Sequence, residues 1–492
     1  MQPPRGTRRS WFPFGRALVL GVILGATSVA AGKGNPTEVA PPVVVRGATS
    51  VGGAAPLDGA APLDGAALLD GAAPLDGAAP LDGAAPLDQD AARLVGADQG
   101  VYAISETGEV LAARAAARPV HPASISKIAS TLALLEHFPP EHRFTTRLLG
   151  TGPVRGGVLE GDLVVEAEGD VFLLPESAHR LLGALARLGI HSVRGGLRVR
   201  GLLVFDWNAD PRGKALRAAL EGRRFGEAWA RSRTIYPELA DLRLSELKLH
   251  FHDVAQSGAA QAPEQPLVEL RSAPLVDQLD ALNAWSNNVF RQLAERIGGP
   301  PEIERIARTH VAPELRDEIV IDDAAGGGST NRLSPRATVA LIAALSKQMQ
   351  KQGLALDDVL PVSGLDPGTL KKRIDGPGER GTLIGKTGTY GSLGASALAG
   401  MVRTERWGEV RFAVLNKGLD VESARARQDA FVRRLLELGG GRPLQSAATA
   451  PPPGQGALDG AEIEILAAEG LPRAGRQKAP STGAKAGRGA SS

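Results

Sequence analysis

Two residues in the first third of the chain have the types and the spacing needed for nucleophilic catalysis. Ser124 and Lys127 lie three positions apart at the start of a segment, Ser124 to His137, whose apolar residues recur at helical spacing. A serine hydroxyl attacks a carbonyl only when a nearby base takes its proton, and lysine is such a base when desolvation or a second cation lowers its pKa. On this pair alone, a capped helix with a surface lysine is the better explanation.

Two later segments carry further polar groups of the same kind. Ser286 and Asn288 precede a short amphipathic helix, so both side chains can point into one cleft, although ordinary helix capping explains them too. The segment Gly381 to Thr389 predicts a strand that contains Lys386-Thr387-Gly388 and has apolar sheet neighbours over 392–402 and 410–415. On an edge strand, this triplet places a cation and a hydroxyl beside free backbone donors, and Gly388 leaves room for a substrate.

The three motifs in this order resemble the set found in penicillin-binding proteins and serine β-lactamases. The flanking sequences resemble the peptidase S13 D-alanyl-D-alanine carboxypeptidases of the penicillin-binding protein 4 type, over roughly residues 92–440. The matching flanks are His121-Pro122-Ala123-Ser124 through Phe144-Thr145-Thr146-Arg147, Gly161-Asp162-Leu163-Val164, Asn331-Arg332-Leu333-Ser334-Pro335, and Leu360-Pro361-Val362-Ser363-Gly364 with Gly368-Thr369-Leu370.

The resemblance implies acyl transfer on the stem peptides of peptidoglycan, without a metal or a cofactor. The implied roles are nucleophile for Ser124, general base for Lys127, proton relay to the leaving amine for Ser286, substrate amide binding for Asn288, positive potential for Lys386, carboxylate binding for Thr387, and an oxyanion hole made by the backbone N–H groups of Ser124 and Thr389. β-Lactams are then expected as covalent inhibitors. The resemblance leaves open whether the preferred substrate is a D-Ala-D-Ala end or a cross-linked dimer.

The fold class implied by the resemblance is an α/β catalytic domain with an antiparallel sheet flanked by helices, built from residues 92–149 and 269–440. The separation of 162 positions from Ser124 to Ser286 predicts one inserted β-rich domain over 150–268. Two positions depart from the family pattern. Val171 stands where the family tends to have Pro, and residues 323–328 replace an Asp-Gly-Ser-Gly-Leu segment, which affects the expected shape of the cleft rather than the reaction.

The ends of the chain have compositions that do not predict a folded core. Residues 1–31 carry four arginines before a short apolar run and small residues, which indicates an export signal and a periplasmic location without a lipid anchor. Residues 32–91 contain six copies of an Ala-Ala-Pro-Leu-Asp-Gly unit and are interpreted as an extended acidic linker. Residues 441–492 are interpreted as a disordered basic tail that can make weak contact with a wall polymer or a membrane surface.

The charge distribution excludes one class of function. The formal net charge is +2, but residues 1–31 and 470–492 carry bases and no acids, and residues 91–469 sum to −1. Because phosphate neutralisation needs a concentrated basic face, the body is not expected to bind nucleic acid. The absence of cysteine excludes disulfides and thiolate metal sites, and His250 and His252 lack a third ligand nearby in the sequence.

Two other functions compete with the peptidase. A β-lactamase needs a carboxylate dedicated to deacylation, and no such motif follows Ser286. A catalytically inactive wall-binding or β-lactam-sensing protein of the same fold would have no need for the intact polar triplet. Both explain the sequence less well than a serine D,D-carboxypeptidase with or without endopeptidase activity.

Overall fold

A computed structural model of the chain describes residues 87–223, 226–243, 247–254, 263–444 and 458–466. The predicted export signal, nearly all of the repeat linker and most of the C-terminal tail lie outside these ranges. Within them, no helix has the length and apolar character needed to cross a membrane.

The helices and strands are numbered in chain order. The helices are α1 Asp88–Leu94, α2 Lys127–His137, α3 Pro175–Arg187, α4 Lys214–Leu220, α5 Gly226–Ile235, α6 Leu275–Trp285, α7 Phe290–Glu295, α8 Pro300–Thr309, α9 Pro335–Lys351 and α10 Val421–Gly439. The strands are β1 Gly100–Ile104, β2 Val110–Arg114, β3 Thr145–Gly150, β4 Val154–Arg155, β5 Val158–Leu159, β6 Leu163–Glu168, β7 Ser192–Val193, β8 Leu197–Leu202, β9 Val204–Phe205, β10 Asn208–Ala209, β11 His250–Phe251, β12 Gln265–Arg271, β13 Ile319–Val320, β14 Arg332–Leu333, β15 Leu383–Tyr390, β16 Ala395–Thr404, β17 Gly408–Lys417 and β18 Glu462–Ile465.

The first sheet is antiparallel, with the strand order β15-β16-β17-β1-β2. Strand β16, the neighbour of the edge strand, is buried along almost its whole length because both faces are covered. Alternate residues of β16 face opposite sides of the sheet, and each side has its own hydrophobic core. Ala397 and Ala399 pack with α2 and α9 on one side, whereas Leu398 and Val402 pack with α1 and α10 on the other. The strand containing Lys386-Thr387-Gly388 is β15, at the edge of the sheet, where the sequence placed it.

A second sheet with the order β18-β12-β3-β6-β8 is built largely from the middle of the chain. Helices α3 and α4 pack on it around buried leucines such as Leu181 and Leu216, so this part of the chain is a mixed α/β layer rather than strands alone. Strands β3 and β12 lie at the two borders predicted for the insertion, 150 and 268, and belong to this sheet. The sheet therefore continues into the segments that follow α2 and precede α6.

The interpretation of residues 441–492 as a disordered tail is wrong for residues 458–466. Strand β18 pairs antiparallel with β12, and Leu458 before it is buried in the core. The approach to β18 is fixed by Arg143, which donates to the carbonyl of Gly460 at 2.7 Å, and by Arg180, which donates to the carbonyl of Ala461 at 2.8 Å. The four-residue alternation of this strand is too short to stand out between Ala-, Gly- and Pro-rich flanks.

Removal of residues 445–492 should destabilise the protein because it leaves β12 without its outer partner and empties the site of Leu458. We expect the free energy of unfolding to fall by about 3 kcal/mol, from a few backbone hydrogen bonds and one buried leucine. Thermal unfolding followed by circular dichroism measures this change. Truncation after Leu466, which keeps β18, is the control and should retain the full-length midpoint; equal midpoints for the two truncated proteins would contradict the role of the strand.

Candidate active site

Ser124 and Lys127 occupy the turn that leads into α2. Residues Ala123–Ser126 form a 3₁₀ helix and α2 continues from Lys127, so the predicted helix over Ser124–His137 begins with a tighter turn than expected. With three residues per 3₁₀ turn, side chains three positions apart lie over each other. Lys127 Nζ accordingly lies 2.9 Å from Ser124 Oγ, within hydrogen-bonding distance.

The amine of Lys127 is buried among polar groups that do not neutralise it. It lies 2.5 Å from the carbonyl oxygen of Ala325 and 3.3 Å from Asn288 Oδ1, and its side chain has no exposed surface. Burial lowers the pKa of Lys127 to about 7; the positive charge of Arg291 lowers it further, and the negative charge of Asp323 opposes both effects. At neutral pH a large fraction of this amine is therefore uncharged and able to accept a proton.

Ser286 and Asn288 lie in the short connection between α6 and α7. Ser286 has a left-handed backbone conformation with φ of 55°, which ends α6 and turns the chain sharply into α7. Gly368 packs against this turn, where a Cβ atom would lie 2.2 Å from the carbonyl oxygen of Ala284. The turn directs Ser286 towards β15 and Asn288 towards Lys127, whose Nζ it faces at 3.3 Å.

Lys386 on β15 is the second buried cation of the site. Its Nζ donates to Ser286 Oγ and to the carbonyl oxygen of Thr387, both at 2.9 Å, and the side chain is fully buried. Burial lowers the pKa of Lys386 well below its ordinary value, and the nearby Lys127 lowers it further. Neither lysine forms an ion pair with a carboxylate in the ranges that the structure describes.

Gly388 allows β15 to lie directly against the nucleophile turn. A Cβ atom at this position would lie 2.6 Å from the carbonyl oxygen of Pro122 and 3.1 Å from the backbone nitrogen of Ser124. The sequence predicted that this glycine leaves room for a substrate. In the structure, the space beside Gly388 is occupied by the backbone that carries Ser124.

The backbone of β15 presents donors along its free edge. The N–H of Gly385 points away from the sheet and donates to the carbonyl of Pro361 at 3.0 Å. Because the bonding direction alternates along an antiparallel edge strand, the N–H groups of Thr387 and Thr389 point to the same side. The N–H of Thr389 is thus available beside the turn of Ser124, as an oxyanion hole requires.

The side chains of Thr387 and Thr389 lie on the other face of β15. Their cross-strand partners are Leu398, which packs with α10, and Ser396, which accepts a hydrogen bond from Gln428 of α10. Thr387 is 6% exposed, whereas Thr389 is exposed at the strand end. The structure therefore brings together five of the predicted side chains, those of Ser124, Lys127, Ser286, Asn288 and Lys386. The two threonine side chains lie on the opposite face of β15, where Thr387 is buried and Thr389 is exposed.

The segment 323–328, interpreted from sequence as a departure that affects only the cleft, contacts Ser124 and Lys127 themselves. The carbonyl oxygen of Ala325 accepts from Ser124 Oγ at 3.3 Å as well as from Lys127. Asn331 holds the segment in place by donating to Ser126 Oγ at 3.0 Å and to the carbonyl of Asp323 at 2.9 Å. A backbone carbonyl leaves no signature in a sequence, and the run of glycines was the only available signal.

The two histidines considered as metal ligands have other contacts. His250 begins β11, and His252 Nε2 lies 2.7 Å from Ser192 Oγ. Within the described ranges, no group of three potential protein ligands lies close enough together to hold a metal ion.

Comparison with known proteins identifies the chain. The model of the D-Ala-D-Ala carboxypeptidase 3 (S13) family matches residues 84–204 and 238–438, which span all three motifs. The chain belongs to this family. Carboxypeptidase DacB of Mycolicibacterium smegmatis is 27% identical over 390 residues, which cover 68% of this chain and 80% of the relative.

Solved structures share the fold of this S13 peptidase. A penicillin G-acylated predatory endopeptidase from Bdellovibrio bacteriovorus superposes with a TM-score of 0.59 at 22% identity, covering 72% of this chain and 96% of that one. Penicillin-binding protein 4 from Haemophilus influenzae, complexed with a β-lactam, gives 0.52 at 18% identity, covering 72% and 99%. The predictions of the family, of the α/β fold class and of a serine-type D-Ala-D-Ala carboxypeptidase are confirmed.

The pKa of Lys127 predicts how acylation of the S13 peptidase depends on pH. The rate should rise with pH around an apparent pKa of about 7, because only the neutral amine accepts the proton of Ser124. In Arg291→Gln the midpoint should move to higher pH, because a charge that lowers the pKa is lost and Asp323, which raises it, loses its ion-pair partner. Acylation rates from about pH 5 to about pH 9 measure this shift.

A matched control is Arg305→Gln, which removes an arginine paired with Glu302 on the surface of α8. This variant should keep the midpoint of the parent protein. An unchanged midpoint, or one displaced to lower pH, in Arg291→Gln would contradict the electrostatic role of that residue.

Gly326 should be essential for the geometry of the site. Its φ is +81°, and a Cβ atom would lie 2.0 Å from the carbonyl oxygen of Ala123, next to the nucleophile. Gly326→Ala should therefore lower the acylation rate at least about 100-fold by displacing the turn of Ser124. The control is Gly353→Ala, with φ of +72° and no atom within 4 Å of the new Cβ; it should lose only about 1 kcal/mol of stability and retain its rate. Equal rates in the two variants would contradict the proposed contact.

Proposed function

We propose that this S13 peptidase is a serine D,D-carboxypeptidase that cleaves the D-Ala-D-Ala end of peptidoglycan stem peptides through an acyl-enzyme on Ser124. The observation that carries the proposal is the 2.9 Å contact between Ser124 Oγ and a buried lysine amine whose pKa is about 7. A serine with a neutral amine in reach, beside an edge strand with free backbone donors, suits attack on an amide carbonyl.

In the first half of the reaction, neutral Lys127 takes the proton of Ser124 Oγ as this oxygen attacks the carbonyl carbon of the penultimate D-Ala. The negative charge that develops on the carbonyl oxygen is stabilised by the N–H groups of Ser124 and Thr389. The proton then has to reach the leaving amine. Ser286 is suited to relay it, since its oxygen accepts from Lys386 and its own hydroxyl hydrogen is free to point outwards.

In the second half, terminal D-Ala has left and the acyl group remains on Ser124 Oγ. Water attacks the ester, and Lys127 acts on this water as it acted on the serine, which releases the shortened peptide and restores the hydroxyl. No step requires a metal or a cofactor. Asn288 holds the substrate amide, Lys386 supplies positive potential, Thr387 binds the terminal carboxylate, and Gly388 keeps β15 close to the nucleophile.

β-Lactams are proposed as covalent inhibitors because they present a strained amide to the same serine. The wider biological setting is also part of the proposal: residues 1–31 act as an export signal, the enzyme works in the periplasm, and the basic C-terminal tail makes weak contacts with the wall or the membrane surface. A β-lactamase and an inactive wall-binding or sensing protein are the competing functions.

Labelling with a fluorescent penicillin tests the acyl-enzyme. The purified protein should be labelled with one penicillin per chain, and Ser124→Ala should abolish labelling and lower peptide hydrolysis at least about 1,000-fold. Ser130→Ala on the same helix, whose hydroxyl donates to the carbonyl of Ala324, is a control that keeps the nucleophile. Labelling that survives Ser124→Ala would exclude the mechanism, and rapid release of hydrolysed penicillin would favour the β-lactamase.

Release of D-alanine from a pentapeptide, compared with cleavage of a cross-linked dimer, tests the substrate. We expect D-alanine release to be the faster reaction. Faster cleavage of the dimer would assign the enzyme as an endopeptidase, and labelling without hydrolysis of either substrate would favour the sensing function.

A further inference from the structure

An arginine side chain contacts the exposed end of the strand that carries Lys386. Arg425, in the second turn of α10, donates from Nη2 to Thr389 Oγ1 at 3.2 Å. Both residues are exposed, so this contact lies at the surface of the cleft rim and not inside the protein.

Arg425 differs from other arginines of α10 in what it contacts. Arg433 is paired with Glu379 at 2.9 Å, and Arg434 is paired with Asp90 at 2.8 Å. Arg427 donates to the carbonyl of Val95 at 3.1 Å, on the far side of the helix from β15. For Arg425, no carboxylate partner is found among the residues that the structure describes.

The surroundings of Arg425 contain one charge of each sign. Burial of part of the side chain and the charge of Arg373 lower the pKa of Arg425, and the charge of Asp429 opposes them, although Asp429 forms its ion pair with Arg373. The guanidinium remains charged at any physiological pH. An arginine that is partly desolvated, close to another cation and without a carboxylate partner has an unused capacity to bind an anion.

The contact with Thr389 shows where that anion would lie. Thr387 and Thr389 are two positions apart on β15, so their hydroxyl groups share one face of the strand. The hydroxyl oxygen of Thr389 accepts from Arg425, which leaves its hydrogen free to donate to a second group. A carboxylate placed beside Thr389 could therefore accept from the hydroxyl and from the guanidinium at the same time.

We propose that Arg425, together with Thr389, binds the free carboxylate on the leaving residue of the substrate and thereby makes the enzyme selective for peptides that carry this carboxylate. The inference deepens the proposed function and rests on it. Arg425 is a specificity-determining residue in this proposal: the bond-breaking steps belong to Ser124, Lys127 and Ser286, and the arginine aligns the end of the substrate against β15.

The test compares two acyl-D-Ala-D-Ala peptides that differ only at the C-terminus, one with a free carboxylate and one with a carboxamide. Formation of the shortened acyl-D-Ala product, which both peptides give, is followed to obtain kcat/KM. Arg425→Gln should lower kcat/KM about 10- to 100-fold for the carboxylate and by less than about 3-fold for the carboxamide, as expected for loss of one charge-assisted contact. Arg425→Lys should be intermediate, because it keeps the charge and loses the planar fork.

Arg427→Gln is the matched control, since it removes the same charge from the same helix at a position that does not contact β15. It should leave both rates within about 2-fold of the parent enzyme. Penicillin and its methyl ester provide a second readout: the acylation rates of Arg425→Gln should fall for the acid and not for the ester.

The outcomes separate the inference from the function beneath it. Suppose that the parent enzyme turns over the carboxylate peptide and that Arg425→Gln lowers kcat/KM equally for both peptides, or for neither of them. The carboxylate-binding role is then overturned, and the proposed function stands. If the parent enzyme neither hydrolyses the peptides nor forms an acyl-enzyme with penicillin, the proposed function fails and this inference fails with it.

Discussion

The site depends on two lysine side chains held in the protein interior without carboxylate partners. A lysine whose pKa falls from 10.5 to about 7 represents a cost of about 5 kcal/mol for its charged form, which the rest of the fold must offset. Lys127 and Lys386 also repel each other when both are charged, which lowers the pKa of Lys386 beyond the effect of its burial. A carboxylate beside either lysine would stabilise the charged amine. This would remove the energetic cost of burying the charge, and it would also remove the neutral amine that can accept a proton.

The fold meets this demand by fixing the backbone on both sides of the lysines. Helix α2 is buried along most of its length, which anchors the turn before it in the core. Strand β15 lies against that turn through Gly388, and the segment with Ala325 covers the amine from a third direction. Three separate parts of the chain supply oxygen atoms to this amine: the turn with Ser124, the connection with Asn288 and the segment with Ala325.

The extent to which the sequence predicted this site follows from what a motif contains. The three motifs fix residue types at short spacing, so the contact between Ser124 and Lys127 and the edge position of β15 could be predicted, as could the sheet neighbours of β15. The carbonyl of Ala325 could not, because its role comes from backbone position rather than from a side chain. The contact of Arg425 with Thr389 was also not predicted, because in the sequence Arg425 is indistinguishable from the other polar residues of an exposed helix face. Strand β18 was hidden by flanks of low complexity, where a four-residue alternation carries little weight.

The position of β1 has a consequence for the way the chain folds. This strand lies between β2, its neighbour in sequence, and β17, so that Gly100 pairs with Leu415. Contacts between residues so far apart in sequence carry a large loop-closure entropy and make folding slow. A nascent chain that has not yet reached β17 would expose one edge of β1 as an unpaired, apolar strand, which favours aggregation or chaperone binding. Catalytic competence therefore arises late in folding, when nearly the whole described chain has been synthesised and the sheet can close.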